Sequence, residues 1–255
     1  MYRWESVGKP NRVIDSLTLT VTSGKIWLNE IAFFDSNGVY IPFTVSANAH
    51  ALGDEPDQVP EVPSYLNGMY FDELYHGRTA YEHLNGISPY ENSHPPLGKV
   101  IISIGIAVFG MNTIGWRIMG VLFGIGMVPI MYVFGKRLFK KSEFALLAAG
   151  LFTFDFMHFT QTRIATIDTY GVFFILLMFY YMYQYYCMNF HVDGLKKTLK
   201  PLALAGLFFG LGAASKWICF YAGAGLAIIL FTSLVKRYTE YKQCMDHGTA
   251  KEREA

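Results

Sequence analysis

The chain has 255 residues, of which 52% are hydrophobic and 16% are charged, and its mean hydropathy is +0.26. This composition excludes a disordered or fibrous protein and is typical of a membrane protein. The 21 basic and 20 acidic residues leave a formal charge of +1, so no basic surplus is present for binding nucleic acid. The cysteines, Cys187, Cys219 and Cys244, are too widely spaced for a metal knuckle and are interpreted as packing residues.

The first 62 residues are polar and rich in turn-forming residues, and they predict a small β module. Apolar and polar residues alternate over 17–22 and 25–31, as is typical of half-buried strands. Residues 35–38, of sequence Asp-Ser-Asn-Gly, have the chemistry of a hairpin turn, because glycine adopts positive φ without strain. Residues 54–63 contain three prolines and four acids, and they predict a solvated linker.

Beyond residue 96 the apolar runs are long enough to cross a bilayer. Five of them approach the roughly 17 to 25 residues that a membrane-spanning helix needs, and they cover 115–135, 144–159, 167–187, 202–217 and 218–235. A further run, 100–110, would reach only about half the hydrocarbon thickness and is interpreted as interfacial or re-entrant. The predicted fold class is mainly α: a polytopic membrane protein with five crossings, a short interfacial helix and an amino-terminal β module.

Three basic clusters, 136–141, 196–200 and 236–242, flank the apolar runs, and the positive-inside rule assigns them to the cytoplasm. The segment ending at residue 96, the corner at 112–117, the hinge at 160–166 and the turn at Lys216 then lie outside. The predicted domains are an extracytoplasmic β module (1–62), an extracytoplasmic catalytic loop (63–98), an incomplete transmembrane domain (99–242) and a cytoplasmic tail (243–255). Because an external module needs a signal peptide or a preceding helix, we expect the chain to be a piece of a longer protein.

Two adjacent carboxylates, Asp72 and Glu73, lie in an aromatic segment immediately before the membrane region. A carboxylate in such a setting can act as a general base. An acidic pair at a helix start, where it interacts favourably with the helix dipole, is the alternative interpretation.

Three cations, Arg117, Arg163 and Lys216, lie at or inside the outer ends of apolar runs. Cations at membrane depth are costly and usually indicate a function or an ion pair. Guanidinium and ammonium groups bind phosphate oxygens through charge-assisted hydrogen bonds, which predicts a phosphate-binding cluster. The alternatives are snorkelling to the headgroups and ion pairing with Asp168 or Asp155.

Asp168 follows Arg163 by five residues, which favours an ion pair or a helix cap. The 94–99 segment, from His94 to Lys99, combines two prolines with a helix start and predicts at least a stiff connection into the membrane. Nucleophile-elbow, HExxH, Walker and GxGxxG motifs are absent from the sequence, so soluble-hydrolase, zinc-protease and nucleotide-cofactor functions have no support. Small residues predict close helix contacts at Gly206, Gly210 and Gly212.

Taken in order, five motifs closely resemble the amino-terminal half of the protein O-mannosyltransferase family. They are Phe71-Asp72-Glu73, the segment from His94 to Lys99, Gly115-Trp116-Arg117, Thr160 to Arg163 with Asp168, and Ala214-Ser215-Lys216-Trp217. The resemblance covers roughly residues 69–235. It implies a multi-pass GT-C glycosyltransferase, in the plasma membrane if bacterial, that transfers a sugar, typically mannose, from a polyprenyl-phosphate carrier on the extracytoplasmic face. The first 60 residues weakly resemble part of a galactose-binding or discoidin-like module.

The resemblance also implies roles for individual residues. Arg117, Arg163 and Lys216 would bind the donor phosphate, Asp72 would deprotonate a Ser or Thr hydroxyl of an acceptor protein, and Glu73 would position the acceptor or Asp72. His94, Lys99 and Asp168 would support this site. No cofactor and no obligatory metal are implied, and the partners are the polyprenyl-phosphate sugar, the acceptor protein and the lipid bilayer. Two alternatives stay open: a related transferase with a lipid or polysaccharide acceptor, and a non-catalytic sugar-binding membrane protein.

Overall fold

The structure, a computed structural model, describes residues 4–8, 13–24, 28, 30–54, 56, 59–60, 64–189 and 193–247. The chain divides into two compact units, Met1–Leu74 and Tyr75–Ala255. The predicted subdivision at residues 62, 98 and 242 stays a prediction. Parts of the second predicted strand (25–27 and 29), of the linker (55, 57–58 and 61–63) and of the tail (248–255) lie outside the described residues.

The described part of the first unit contains no β-strand, so the predicted β module is wrong there. It has a 3-10 helix, Ala47–Leu52, and one isolated antiparallel bridge between Phe34 and Tyr40. The turn at 35–38 is confirmed, since Asp35 Oδ1 accepts the N–H groups of Asn37 and Val39 and Gly38 has φ of +82°. The alternating residues of the first predicted strand are uncovered: Leu17, Leu19 and Val21 are each 54% exposed. A pair of strands with no apolar layer against it is marginal in water, which explains why alternation alone does not produce a sheet.

The mainly helical fold class is confirmed by eight α-helices among the described residues. In chain order they are α1 (Glu73–Leu84), α2 (Leu97–Phe109), α3 (Thr113–Phe139), α4 (Ser142–Thr153), α5 (Phe156–Gln161), α6 (Asp168–Cys187), α7 (Leu195–Ser215) and α8 (Ile218–His247).

A short corner joins α2 to α3 and allows the two helices to pack closely. The side chain of Asn112 caps α3 by accepting the N–H groups of Ile114 and Gly115, each at 3.0 Å. A Cβ atom on Gly105 would lie 2.3 Å from the carbonyl oxygen of Gly115, a distance that atoms in contact do not reach. The corner therefore requires glycine at residue 105.

Three helices are long and apolar enough to cross a membrane: Thr113–Phe139, Lys196–Ser215 and Ile218–Asp246, which lie in α3, α7 and α8. Helix α6 has 20 residues, but its six tyrosines lower its hydropathy, and it is not among these three. The short apolar helix predicted at 100–110 is confirmed as α2.

The run predicted to cross at 144–159 is not one helix. Helix α4 has 12 residues, and at about 1.5 Å per residue it is shorter than the hydrocarbon core. The chain starts a new helix at Phe156, because Asp155 Oδ1 accepts the N–H of His158 at 2.8 Å as an N-cap. The carboxylate inside the apolar run is the physical reason for the break.

Helix α6 is at the centre of the second unit, where it packs against α3, α7 and α8. Its buried Met178, Met182 and Tyr185 form a core cluster with Ala205 and Leu226. Of the predicted small-residue contacts, Gly212 is confirmed, since a Cβ there would lie 2.9 Å from Cys219 Sγ. Among the described residues nothing lies within 4 Å of a Cβ built on Gly206 or Gly210, so those two contacts are wrong.

Cation–ring contacts connect the carboxyl-terminal halves of three helices. The guanidinium carbon of Arg137, in the last turn of α3, lies 5.1 Å from the ring centre of Tyr180 in α6. That of Arg237 in α8 lies 3.8 Å from the ring centre of Tyr185. Nearer the starts of the same helices, Phe123 of α3 packs on Tyr170 of α6, and Cys219 Sγ of α8 donates to the carbonyl oxygen of Gly171 in α6. Contacts at these two levels show that α3, α6 and α8 run in the same direction, with two of the three basic clusters at the same end of the unit.

Candidate functional site

The other end of the second unit brings together three segments that contain predicted site residues. We call residues 91–99, 161–169 and 215–217 the loop end. A Cβ on Gly98, in the first turn of α2, would lie 2.8 Å from Ile167 Cγ2 and 3.4 Å from the carbonyl oxygen of Ser215. Trp217 Nε1 donates a hydrogen bond to the carbonyl oxygen of Ser93 at 2.7 Å. The connection before α2, the start of α6 and the turn between α7 and α8 are therefore in contact.

Lys99 is fully engaged by the protein. Its Nζ donates to Glu91 Oε2 at 2.5 Å, to the Glu91 carbonyl at 2.8 Å and to the His94 carbonyl at 3.0 Å. An ammonium group has three donors, so these three contacts use all of them. The residue is 1% exposed. Lys99 therefore fixes residues 91–94 against α2 and leaves no donor for a ligand.

Glu91 is the partner that the sequence analysis missed. Burial raises its pKa, but hydrogen bonds from Lys99 and Ser93 and the charge of Lys99 outweigh burial and lower the pKa to about 2. The carboxylate also accepts the N–H groups of Ser93 at 2.6 Å and His94 at 3.2 Å. Eight residues span about 12 Å in a helix and about 26 Å in a strand, too far for an ion pair, so only the folded connection reveals the pair.

His94 contributes to the loop end through its backbone, which binds both Lys99 and Glu91. Its ring centre lies 6.4 Å from that of His76, with a tilt of 57° between the planes. The supporting position predicted for His94 and Lys99 therefore corresponds in the structure to a rigid connection into α2.

Lys216 forms the ion pair that was predicted for Asp168. The residue lies between α7 and α8, and its Nζ is 2.5 Å from Oδ1 of Asp168, the first residue of α6. The side chains are 20% and 39% exposed, respectively. In the described part of the chain, the other two Nζ donors of Lys216 have no protein acceptor. In contrast to Lys99, Lys216 can bind an anion while it remains paired.

Arg163 lies in the segment between α5 and α6 and is exposed. Its guanidinium carbon is 4.7 Å from the ring centre of Phe159. This segment packs on α3, because a Cβ on Gly120 would lie 3.1 Å from the carbonyl oxygen of Thr162. Thr169 connects the segment to α6 by donating its hydroxyl to the carbonyl of Gln161 at 3.1 Å.

Arg117 is half-buried and lies one turn before Gly120, on the same side of α3. The face of α3 on which Thr162 packs is therefore the face that carries Arg117. The segment that contains Arg163 therefore packs on α3, which carries Arg117. The same segment is hydrogen-bonded to α6, which begins with Asp168.

Asp72 and Glu73 belong to the first unit. Glu73 is the first residue of α1 and is buried, and its Oε2 accepts the N–H of Tyr70 at 2.7 Å. The helix-start interpretation of the acidic pair is therefore confirmed for Glu73. Asp72 is half-buried in the turn before α1, next to Phe71, whose φ of +46° is unusual for a bulky residue. The catalytic roles of Asp72 and Glu73 stay predictions.

Within the described ranges, no group of three or more His, Cys, Asp or Glu side chains is arranged to hold a metal ion. The chemistry that the loop end offers is anion binding by Lys216, in proximity to the segment that carries Arg163.

These features define a helical membrane protein whose loop end carries an ion-paired, partly exposed lysine. The comparisons with known proteins identify the family. Residues 103–250 match the family described as dolichyl-phosphate-mannose-protein mannosyltransferase. Because this match covers more than half of the 255 residues, the chain belongs to that family, which confirms the resemblance found in the sequence.

Curated relatives carry the name polyprenol-phosphate-mannose--protein mannosyltransferase. The protein from Mycobacterium tuberculosis is 32% identical over 115 residues, which are 43% of this chain and 22% of the relative. That from Mycolicibacterium smegmatis is 26% identical over 196 residues, 66% of this chain and 36% of the relative. The chain thus spans about a fifth to a third of the length of these relatives. No solved structure matches the chain.

Proposed function

We propose that the chain is part of a membrane glycosyltransferase that moves mannose from a polyprenyl-phosphate carrier to a Ser or Thr hydroxyl of a protein, on the extracytoplasmic face. Family membership and the names of the relatives support the donor and the acceptor class. The observation that carries the proposal is Lys216, an ion-paired lysine with two available donors at the loop end. A non-catalytic anchor would have no need of such a group.

The proposed topology has five crossings, with the loop end outside. The parallel direction of α3 and α6, supported by the Arg137–Tyr180 contact, requires the chain to return between them. We assign that return to α4 and α5 together, since neither helix is long enough alone. Helices α6, α7 and α8 then cross in turn, and the basic ends of α3 and α8 face the cytoplasm.

In the proposed reaction the donor phosphate binds Lys216, Arg163 and Arg117. When the bond between the anomeric carbon and the phosphate oxygen breaks, its electron pair stays on the phosphate. Cations held in place by the fold stabilise this growing charge without having to reorganise. The ion pair with Asp168 and the ring contact with Phe159 hold two of these cations before the ligand arrives.

Asp72 is proposed as the general base. It takes the proton of the acceptor hydroxyl while the hydroxyl oxygen forms a bond to the anomeric carbon, opposite the departing phosphate, so the configuration inverts. Among the described residues Asp72 makes no hydrogen bond or ion pair, which leaves its carboxylate sterically available to an acceptor hydroxyl. Glu73 holds the turn that carries Asp72 through its bond to Tyr70.

Sugar transfer to a Ser/Thr peptide in proteoliposomes tests this function. Replacing Asp72 by Asn should lower turnover by about two to four orders of magnitude, the range of general-base catalysis, and leave donor binding nearly unchanged. Asp155→Asn is the matched control, because it changes a carboxylate that caps α5, and it should retain turnover. Near-normal turnover of Asp72→Asn would remove Asp72 from the mechanism.

A further inference from the structure

The ion pair between Lys216 and Asp168 places a negative charge beside the proposed phosphate site. Nζ of Lys216 is 2.5 Å from Asp168 Oδ1, and among the described residues Asp168 Oδ2 has no partner. Two acceptors on one tetrahedral ammonium group lie about 4 to 5 Å apart. A phosphate oxygen on either available donor of Lys216 would therefore lie at that distance from the carboxylate, whose side chain is 39% exposed.

The donor and the product differ in how strongly they experience this charge. A polyprenyl-phosphate sugar is a phosphodiester and carries one negative charge. The polyprenyl phosphate released by the transfer is a monoester, whose second proton dissociates with a pKa of about 6, so it carries nearly two charges at neutral pH. Coulomb repulsion scales with the ligand's charge, so a fixed carboxylate disfavours the product more than the donor.

We propose that Asp168 is a positioning residue that both holds Lys216 in the phosphate site and promotes release of the polyprenyl phosphate product by charge repulsion. This inference rests on the proposed function, since it requires that Lys216 binds the donor phosphate. Lys99, which is also paired with a carboxylate, cannot act in this way, because all three of its donors are bound by the protein.

Other charged and titratable groups lie on the elements packed around the pair. Arg117 is on α3 and Arg163 precedes α6, while Glu91, His94 and Lys99 lie on the connection before α2 and at its start. Among the residues that the structure describes, only Asp168 forms an ion pair with Lys216. A pH-dependent change in any of the other groups would be shared by wild type and Asp168→Asn, so comparing the two proteins at one pH isolates the charge of Asp168. The charge of the diester is constant above pH 5. The donor therefore reports the effect of Asp168 on a ligand of fixed charge.

The test measures the dissociation constants of the purified chain in lipid nanodiscs for polyprenyl phosphomannose and for polyprenyl phosphate, at pH 5 and pH 8. Asp168→Asn should tighten donor binding about threefold at both pH values. At pH 8 it should tighten product binding about tenfold, the square of the donor effect, because the ligand charge is doubled. At pH 5 the variant should tighten donor binding and product binding by the same factor, because both lipids then carry about one charge. Asp168→Ser removes the same charge with a residue suited to a helix start and should behave identically.

Two further variants make the result specific. Asp168→Glu keeps the charge and should retain the wild-type ratio of product to donor affinity at pH 8. Asp155→Asn removes a carboxylate from another helix start and should leave the ratio unchanged. Equal changes for both lipids at pH 8, or weaker binding of both in the neutral variants, would show that Asp168 only orients Lys216 and would overturn the inference. If wild type binds both lipids no better than neutral polyprenol, the proposed function fails as well.

Discussion

Two lysines at the loop end carry the same charge and have different uses because their hydrogen-bond donors are occupied differently. Lys99 donates three hydrogen bonds to the connection before α2 and is almost completely buried. Lys216 donates one hydrogen bond within the described part of the chain, to Asp168, and remains partly exposed. The count of occupied donors, rather than the presence of a cation, separates a residue that stabilises the fold from one that can bind phosphate.

The Glu91–Lys99 pair predicts an acid-sensitive contribution to stability. The pKa of Glu91 falls from 4.5 to about 2 in the folded protein, so the unfolded chain binds the proton more readily. The pair's contribution to the free energy of unfolding is therefore fully present above pH 4.5 and is lost as the pH falls towards 2.

Thermal unfolding in detergent, compared between wild type and Glu91→Gln, tests this prediction. Wild type should unfold at a higher temperature than Glu91→Gln at pH 6, because the variant leaves the buried Lys99 charge without its counter-charge. This difference should shrink as the pH is lowered from 4.5 to 3. A difference that is constant over this interval would contradict the ionised state of Glu91 in the fold.

At the residue scale the sequence predicts the ionic groups better than their partners. The cost of cations near an apolar run identifies Arg117, Arg163 and Lys216, and the pairing alternative correctly included Asp168. Glu91 could not be found in this way, because it lies in an irregular segment whose path no periodicity predicts.

At the scale of single elements, close packing between α2 and α3 depends on glycines at the corner. A Cβ on Gly105 would overlap the carbonyl oxygen of Gly115, whereas nothing lies within 4 Å of a Cβ on Gly206 among the described residues. We expect Gly105→Ala to destabilise the protein by about 2 kcal/mol or more, since backbone must move. Gly206→Ala, the matched control inside α7, should be neutral or stabilising by up to about 1 kcal/mol.

Apparent melting temperatures of the two glycine variants in the same detergent provide the measurement. A melting temperature of Gly105→Ala equal to that of wild type would show that α2 and α3 do not approach as closely as the structure indicates.

Hydropathy predicts helices well in this chain and predicts their continuity less well. The runs that became α3, α7 and α8 contain no interior N-cap, and each forms one long helix. The run at 144–159 contains Asp155, whose local bond to His158 starts a separate helix. The β module failed for a different reason: alternation indicates a strand only where another layer covers its apolar face, and Leu17, Leu19 and Val21 are uncovered.

At the scale of the second unit, opposite ends have opposite chemistry. One end carries basic residues stacked on the tyrosines of α6, as Arg137 and Arg237 are. The loop end, which contains Lys216, lies at the opposite end of the unit. The positive-inside rule then predicts that the loop end faces the extracytoplasmic side. The direction of the unit in the membrane follows from sequence charge, whereas the contacts that align α3, α6 and α8 required the structure.

Accessibility of single cysteines tests this orientation. With the exposed Cys187 and the partly exposed Cys244 replaced by serine, an impermeant thiol reagent applied to intact cells should label Asn92→Cys at the loop end. Ser142→Cys, at the start of α4 beside a basic cluster, should react only after the membrane is permeabilised. The reverse labelling pattern would place the loop end in the cytoplasm and contradict the proposed function.

The central claim is that the cations of the loop end and α3 share one phosphate ligand. Donor affinity in nanodiscs, measured for Arg117→Ala, Arg163→Ala and the double variant, tests it most directly. Arg163→Ala should weaken binding by about 1.5 to 3 kcal/mol, and Arg163→Lys should restore only part of the loss, because lysine lacks the planar fork. The double variant should lose less than the sum of the single losses, since both cations bind the same group. Affinities within about 0.5 kcal/mol of wild type in all variants, with additive effects, would contradict a shared phosphate site.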